Sequence, residues 1–278
     1  MSIGTIAVAT DFSARADRAV DRAKQLHADR GGRILCVHAS NLAVDEAPDL
    51  AALKTKMHLS TGLAEVAGSV EYAFPAGSPT AAIAQLCGKE DVGLLVIGPA
   101  RYNTLGDFFL GTAVDYVLRN VSNPVLVVKN RAHAPYGQIV AGTDFSPGSA
   151  HAIITAARMF PDAKIHIVHS WHVPFQAWNK DQYVADETEC AHQEDMDRFM
   201  AELVSREPSL ANATSDLVRG GAFDAIKKGL ELDPSALVVL GSHGTSGFKQ
   251  AALGSVTSDL LRFLEADTLV VNAKAAQD

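Results

Sequence analysis

The residues best suited to chemistry lie near the end of the chain, where four glycines and a serine follow a short apolar run. The stretch GSHGTSGFKQAALGSV, residues 241–256, comes directly after ALVVL. Because glycine has no Cβ, it lets the backbone turn tightly and approach a ligand closely. A helix beginning at Ser255 would direct its free N–H groups and the positive end of its dipole at this loop. The pattern predicts a cradle for phosphate groups.

Composition narrows the classes of protein to which the chain can belong. Its 278 residues suggest two domains, and its net charge of -8, without any run of lysine or arginine, argues against nucleic acid as a partner. The apolar stretches have the length of strands, so we expect no membrane segment. The start MSIGTIAVATDFS lacks the pattern of a signal peptide, and the three cysteines are far apart. We therefore expect a cytoplasmic protein with reduced thiols.

The chain contains the same pattern twice. TDFS occurs at residues 10–13 and again at 143–146, and VH occurs at 37–38 and at 168–169. LLVIG (94–98) corresponds to LVVLG (237–241), and PVLVVK (124–129) corresponds to DTLVVN (267–272). The spacing predicts about a dozen additional residues after the second strand of the second copy. Two related domains are predicted, at 1–132 and 136–278, with a short linker that contains Pro135 and Gly137.

Each copy alternates short apolar strands with amphipathic helices, which predicts an α/β fold. All-apolar strands are typical of a parallel sheet that is covered by helices on both faces. We predict two tandem doubly wound domains, each with a five-stranded parallel sheet. Ser13 and Ser146 are expected to cap the first helix of each copy, and Val256 and Leu260 are expected on the buried face of the last helix. In such sheets ligands bind beyond the carboxyl ends of the strands, where TDFS, VHSW and GSHG are located.

The glycine spacing resembles that of a known family. Gly241, Gly244 and Gly254-Ser255 match the G-x2-G-x9-G-[ST] pattern of ATP-binding universal stress proteins. TDFS, VH and the final LVV strand are also similar to that family, in register with the glycines and in both copies. The chain therefore resembles a tandem universal stress protein. The resemblance implies an adenine nucleotide alpha hydrolase-like fold in each domain, with the two domains paired as a pseudo-dimer.

The resemblance also implies the roles of individual residues in the second copy. Thr143 and Asp144 would face the adenine and ribose of ATP, and Ser170 would lie against the adenine edge, where the family usually has an aliphatic residue. The residues expected around the phosphates are Gly241, His243, Gly244, Gly254, Ser255 and Val256. Mg²⁺ is implied by the ligand, because phosphates and water commonly hold this ion. No catalytic residue is predicted.

The first copy departs from the pattern. Gly98 and Gly111-Thr112 keep the outer spacing, but Arg101 occupies the position of the second glycine, and Pro99 removes an amide donor. A side chain at a point of close backbone approach should weaken or abolish nucleotide binding there. The alternative is that the guanidinium of Arg101 contacts a phosphate.

Histidines and aromatic residues of the second copy permit further interpretations. The second copy contains residues of the types that bind zinc, but they form no compact Cys/His signature, so no metal site is predicted. They are His166, His169, His172, His192 and His243, with Cys190 near His192. Trp171, Phe175 and Trp178 flank Pro174 in the additional segment. They could form a lid over the site or a patch for a partner, but burial that anchors a long loop is the favoured interpretation.

Three functions remain open at this stage. The first is a nucleotide-dependent regulatory module in stress adaptation, with ATP bound mainly in the second domain. The second is a slow ATPase or self-phosphorylating protein, which is less favoured because no motif places a general base or an arginine finger near the γ-phosphate. The third is a nucleotide-free scaffold that dimerises through its last strands. We expect the strands PVLVV and TLVVN to pair between the domains. A homodimer of the tandem chain and an unknown protein partner are further expectations.

Overall fold

A computed structural model of the chain describes residues 3–39, 49–66, 68–89, 91–99, 112–173, 182–242 and 253–272. Within these ranges strands and helices alternate through both halves of the chain. The strands are β1 (Thr5–Ala9), β2 (Arg33–Val37), β3 (Val70–Ala73), β4 (Val92–Ile97), β5 (Val125–Val127), β6 (Gln138–Gly142), β7 (Lys164–Trp171), β8 (Thr214–Arg219), β9 (Leu237–Gly241) and β10 (Thr268–Val271). The α-helices are α1 (Ala14–Arg30), α2 (Leu50–Thr61), α3 (Pro79–Lys89), α4 (Thr112–Asn120), α5 (Pro147–Met159), α6 (Gln182–Arg206), α7 (Ala222–Leu230) and α8 (Ser255–Phe263).

The strands form one continuous sheet in the order β3-β2-β1-β4-β5-β10-β9-β6-β7-β8. Neighbouring strands within each half are parallel, whereas β5 and β10 pair antiparallel at the junction. Each half is thus a five-stranded doubly wound sheet, and the predicted pairing of PVLVV with TLVVN between the domains is confirmed. Leu126 lies opposite Leu269 in this pairing. Because these two residues correspond in the two copies, the domains are related by a pseudo-two-fold axis.

The helix starts follow the prediction. Ser13 caps α1 by accepting a hydrogen bond from the N–H of Ala16, and Ser146 caps α5 in the same way, with proline in the first turn. The exception is Val256 of α8, which is 54% exposed although a buried face was predicted for it. That prediction was wrong because Val256 lies in the first turn of α8, at the edge of a cavity, whereas the neighbouring Thr257 is buried.

Helices cover both faces of the sheet. Side chains of α1, α2, α5 and α6 share one apolar cluster with the sheet, and this cluster is continuous across the two domains. On the opposite face, α3 and α4 cover the first domain, and α7 and α8 cover the second. Within the described residues, cavities open at the carboxyl ends of the parallel strands, which is where ligands bind in such folds.

The second domain contains its additional residues in α6. This helix has 25 residues, whereas its counterpart α2 has 12. Trp171 at the end of β7 is buried and contacts Val173 and Ala185, which agrees with the favoured anchoring role. Phe175 and Trp178 lie outside the described residues. None of the helices in the described ranges combines the length and the apolar character that crossing a bilayer requires.

A buried polar cluster joins the two domains beside the β5–β10 pair. The carboxylate of Asp267, directly before β10, accepts hydrogen bonds from the backbone N–H groups of Lys129 and Asn130 at 2.7 and 2.8 Å. The same carboxylate accepts the hydroxyl proton of Tyr136 at 2.6 Å and forms an ion pair with Arg22 of α1 at 3.5 Å. The guanidinium of Arg22 also lies over the Tyr136 ring, 4.0 Å from its centroid. The cluster holds the linker and α1 against the second domain.

Candidate functional site

A cavity of about 330 Å³ opens at the carboxyl ends of the second domain's strands. It lies where β6 and β9 meet, the point at which strand order reverses and where parallel α/β sheets bind ligands. The residues of the predicted site that line it are Thr143, Asp144, Ser170, Gly241, Gly254, Ser255 and Val256. His243 and Gly244 lie outside the described residues. The structure thus brings together residues from both ends of the domain's sequence.

The TDFS turn after β6 holds Asp144 in the wall of the cavity. One carboxylate oxygen of Asp144 accepts a hydrogen bond from the N–H of Ser146 at 3.1 Å, and the hydroxyl of Thr143 accepts one from the N–H of Phe145 at 2.9 Å. Phe145 has a φ of 61°, in the left-handed region that non-glycine residues seldom adopt. Phe12 has a φ of 59° in the first domain, so both copies use the same unusual turn.

His169, the second residue of the VH pair, forms part of the cavity wall although it was not among the predicted site residues. Its Nδ1 lies 2.8 Å from the carbonyl oxygen of Thr143, and because a carbonyl only accepts, Nδ1 carries the proton. The ring of Phe145 stacks on it at a centroid distance of 4.1 Å. His169 therefore fixes the TDFS turn. His38 does the same in the first domain, where its Nδ1 lies 2.9 Å from the carbonyl oxygen of Thr10. The repetition of the VH pair in both copies was the sequence signal that could have identified this histidine.

Acid is expected to destabilise the folded protein through buried and half-buried histidines. Burial lowers the pKa of His169 below its ordinary value, and the same cause lowers the pKa of His151 and His166. Because the unfolded chain then binds protons more tightly than the folded one, the free energy of unfolding should fall as the pH drops through about 6.5. The thermal midpoint should decrease between pH 7 and pH 5.5. His169→Gln should show a smaller decrease than the parent, and an equal decrease would contradict the role of His169.

The first turn of α8 also lines the cavity. Gly254 is its N-cap and forms no side-chain cap hydrogen bond, and the first helical bond joins the N–H of Ser258 to the carbonyl of Gly254. The N–H groups of the preceding residues in this turn have no acceptor within the helix. Since Ser255, Val256 and Thr257 all line the cavity, this turn can bind an anion.

Gly241 has a structural reason for being glycine as well as a predicted binding role. A Cβ at this position would lie 3.3 Å from the backbone carbon and oxygen of Gly148 at the start of α5. In the first domain, a Cβ at Gly98 would lie 3.0 Å from the carbonyl oxygen of Arg15. Close packing of the strand end against the helix start therefore favours glycine in both copies. The carbonyl of Gly241 also accepts a hydrogen bond from the hydroxyl of Thr257 at 2.9 Å, which positions α8.

The floor and side of the cavity are apolar. Val168, Ala225, Ile226 and Leu240 form this part of the wall, together with the polar Ser170. Such a surface suits the flat face of a nucleobase, which is largely apolar, while Ser170 offers one hydroxyl at its edge. Sequence reasoning missed the α7 residues Ala225 and Ile226 because they look like ordinary core residues.

The histidines of the second domain do not assemble around a metal ion in the described ranges. His192 approaches His169 with ring centroids 5.2 Å apart, whereas Cys190 is exposed and His166 binds the hydroxyl of Thr214 through Nδ1 at 2.8 Å. Among the residues that the structure describes, no three or more His, Cys, Asp or Glu side chains are grouped as metal ligands. This geometry gives the zinc alternative no support.

Comparison with known families agrees with the two-fold repeat. The Universal stress protein family matches residues 2–129 and again residues 135–272. The chain belongs to the universal stress protein family. Both matches include the TDFS turn and the last strand of their domain, so membership applies to each half of the chain.

Solved structures of tandem length share the fold over almost the whole chain. A functionally unknown protein from Pseudomonas aeruginosa PAO1 is 20% identical, with 96% of this chain and 92% of that chain covered and a TM-score of 0.67. A universal stress protein from Archaeoglobus fulgidus DSM 4304 is 18% identical, with coverage of 96% and 98% and a TM-score of 0.68. A universal stress protein in complex with cAMP is 26% identical over 45% of this chain and 96% of its own, with a TM-score of 0.38. No curated protein gave a match.

This universal stress protein has a second cavity in its first domain, at the corresponding strand ends. Its volume is about 760 Å³, and its wall includes Asp11, Ala39 and Ile83, the counterparts of Asp144, Ser170 and Ile226. Pro99 also lines it, whereas Arg101 lies outside the described residues. The first domain therefore keeps these wall residues of the cavity, although Arg101 interrupts its glycine pattern.

Proposed function

We propose that the protein is an ATP-binding regulatory module of cytoplasmic stress adaptation, with ATP bound mainly in the second domain. One observation carries this proposal: the wall of one cavity combines a carboxylate, an uncapped helix N-terminus and apolar side chains. These three features match the hydroxyls, the phosphates and the base of a nucleotide. The cavity volume of about 330 Å³ is in the range of small-molecule sites.

Each part of the nucleotide has a counterpart in the wall. The base would lie against Val168 and Ile226 with its edge at Ser170, and the carboxylate of Asp144 would accept hydrogen bonds from the ribose hydroxyls. The phosphates would lie at the first turn of α8. Asp144 is the acidic side chain in the described wall, so Mg²⁺ would be held mainly by phosphate oxygens and water.

The described wall favours binding over hydrolysis. No lysine or arginine lines the described part of this cavity, whereas phosphoryl transfer requires cationic groups that stabilise the transition state. The scaffold alternative is weakened by the strand order, because β10 is hydrogen-bonded on both sides, to β5 and to β9. A homodimer of the tandem chain would have to use another surface, such as the outer strands β3 and β8.

Filling the second-domain cavity is expected to remove ATP binding. Ser170→Trp places an indole where the base would lie, and calorimetric titration of nucleotide-free protein with Mg-ATP should show affinity reduced at least ~10-fold, or about 1.4 kcal/mol. Ala39→Trp makes the matched change in the first domain and should leave ATP affinity nearly unchanged. Thermal unfolding of both variants checks that they fold.

The pair of variants separates the possible outcomes. If Ala39→Trp alone loses ATP binding, the ATP site lies in the first domain. If Ser170→Trp binds ATP as tightly as the parent protein, the proposed site in the second domain is refuted. If the parent protein binds no nucleotide, the regulatory proposal fails and partners should be sought for a nucleotide-free protein.

A further inference from the structure

Two histidine rings meet at the contact between α6 and β7, and each has a buried nitrogen that bonds nothing among the described residues. His169 of β7 and His192 of α6 lie with their ring centroids 5.2 Å apart. The unpartnered atoms are Nε2 of His169 and Nδ1 of His192. Buried polar atoms nearly always have a hydrogen-bond partner, so two unpartnered nitrogens at one helix–sheet contact require an explanation.

The structure favours the neutral form of His169. Its Nδ1 carries the proton that is donated to the carbonyl oxygen of Thr143, which leaves Nε2 as the nitrogen that acid would protonate. Burial lowers the pKa of His169 below its ordinary value, and the neighbouring His192 acts in the same direction. The Thr143 carbonyl and the carboxylates of Asp144 and Asp195 favour the charged form, but they do not offset burial. A second proton would therefore create a buried charged donor without an acceptor.

Charged side chains on the surrounding elements do not supply that acceptor. Asp144 lies in the TDFS turn, and Asp195 of α6 is paired with Arg198 at 3.0 Å. Neither carboxylate bonds Nε2 of His169. From β8, the guanidinium of Arg219 lies over the indole at the end of β7 and adds positive charge near the pair. Water would be the nearest source of an acceptor, and it can reach Nε2 only if α6 moves away from β7.

The first half of α6, residues 182–192, depends on this contact more than the second half does. The second half contributes three buried side chains to the main apolar cluster, Met196, Phe199 and Leu203. Among residues 185–195, whose side chains the structure describes, Ala185 is the buried one, and it packs against Trp171. His192 contacts the same indole, with centroids 5.9 Å apart. The first half is therefore held mainly by one alanine and one histidine.

The first domain has no such histidine pair in its described part. His38 bonds the carbonyl of Thr10 as its counterpart does in the second domain, and it packs against Phe12 at a centroid distance of 4.5 Å. Helix α2 instead places the ammonium of Lys56 over the Phe12 ring at 4.6 Å. Packing of a helix on the TDFS turn therefore does not require a second imidazole, so His192 needs a reason of its own.

We propose that the contact between His169 and His192 is an acid-sensitive latch, which holds the first half of α6 on β7 and opens when His169 gains a second proton. The second half of α6 stays packed. Because Thr143 and Asp144 line the second-domain cavity, opening of the latch also loosens the turn that forms part of its wall. The latch goes beyond the proposed nucleotide function and does not depend on it.

Hydrogen–deuterium exchange of the full chain tests the latch, with rates corrected for the intrinsic effect of pH on amide exchange. Protection of residues 182–192 should fall by up to ~10-fold between pH 7.5 and pH 5.5. This is the most that one histidine with an ordinary pKa of 6.5 in the open state can contribute one unit below that value. His169→Asn should remove this fall, because asparagine keeps a donor for the Thr143 carbonyl and does not titrate.

His166→Asn is the matched control, because His166 lies on the opposite face of β7 and also has a pKa lowered by burial. It should leave the acid response of residues 182–192 unchanged, whereas protection of α5, which reports opening of the whole domain, should respond to both substitutions. His192→Ala removes the contact without touching the TDFS turn and should increase exchange of residues 182–192 about 2-fold or more at pH 7.5.

Cleavage by a Glu-specific protease gives an independent measure, because Glu187 and Glu189 lie in the first half and a helix must open before it is cut. The rate, normalised to an unstructured peptide of the same sequence at each pH, should rise in acid for the parent and not for His169→Asn. The proposal is overturned if protection of residues 182–192 does not change with pH. It is also overturned if His166→Asn suppresses the change as strongly as His169→Asn, because this segment would then open only with the whole domain.

Discussion

Asp267→Ala is expected to lower the free energy of unfolding by about 3–5 kcal/mol, the cost of breaking a buried ion pair. Asp267 is 3% exposed and its partner Arg22 is 4% exposed, so removal of the carboxylate leaves a buried guanidinium without its counter-ion. The backbone N–H groups of Lys129 and Asn130 and the hydroxyl of Tyr136 lose their acceptor at the same time. Burial and the neighbouring carboxylate raise the pKa of Tyr136 well above its ordinary value, so this hydroxyl is protonated and needs an acceptor.

Urea denaturation followed by circular dichroism measures this change, and a second ion pair between the domains provides the control. Arg30 and Asp162 also join the first domain to the second, at 2.7 Å, but the Asp162 side chain is 86% exposed. Asp162→Ala should cost at most about 1 kcal/mol, because water screens and solvates exposed pairs. Equal effects of the two substitutions would show that burial of the Asp267 cluster does not stabilise the junction.

Gly93→Ala is expected to destabilise the protein by about 3 kcal/mol, near the upper end of typical overpacking costs. A Cβ on Gly93 in β4 would lie 1.8 Å from the carbonyl oxygen of Ile3, a backbone atom that cannot move without displacing the start of β1. The register between β1 and β4 shifts at this point, between Thr5 and Ile6, and brings the two backbones close together. The substitution therefore forces apart the two central strands of the first domain.

A glycine-to-alanine substitution elsewhere in the first domain should have the opposite effect on stability. Gly88, in the last turn of α3, has no atom within 4 Å of its would-be Cβ. Gly88→Ala should stabilise the protein by about 0.5–1 kcal/mol, since alanine favours helix and restricts the unfolded chain. Thermal or urea unfolding of the two variants side by side checks the comparison, and destabilisation by both would mean that the contact with Ile3 is not the cause.

Helix α8 connects the second-domain cavity to the domain junction. Its first turn lines the cavity, while the carbonyl oxygens of Leu261 and Leu264 at its end accept hydrogen bonds from Lys129 of the first domain. Lys129 also lines a small cavity at the domain junction, together with Arg18 and Glu265. Helix α8 therefore contacts both the second-domain cavity and the junction between the domains.

The sequence predicted much of the fold because the relevant signals are local. Ser13 and Ser146 cap their helices through contacts three residues away, and the all-apolar strands indicate a sheet buried on both faces. Val256 was misplaced because helical periodicity does not show that the first turn of a helix can end at a cavity. The binding roles of the predicted site residues stay predictions that nucleotide titration has to test.

The sequence by itself determined that two related α/β domains follow one another and where their strand ends bear polar residues and glycines. The sequence also predicted that the last strands of the two domains pair. Only the tertiary structure decided which side chains meet at this junction and how the two cavities differ. The Arg22–Asp267 pair connects residues 245 positions apart, and the small cavity at the junction combines residues of α1, the linker and the end of α8. No spacing rule relates such residues, because their proximity results from the antiparallel pairing of β5 with β10. Only the folded chain shows which charges that pairing brings together and removes from water.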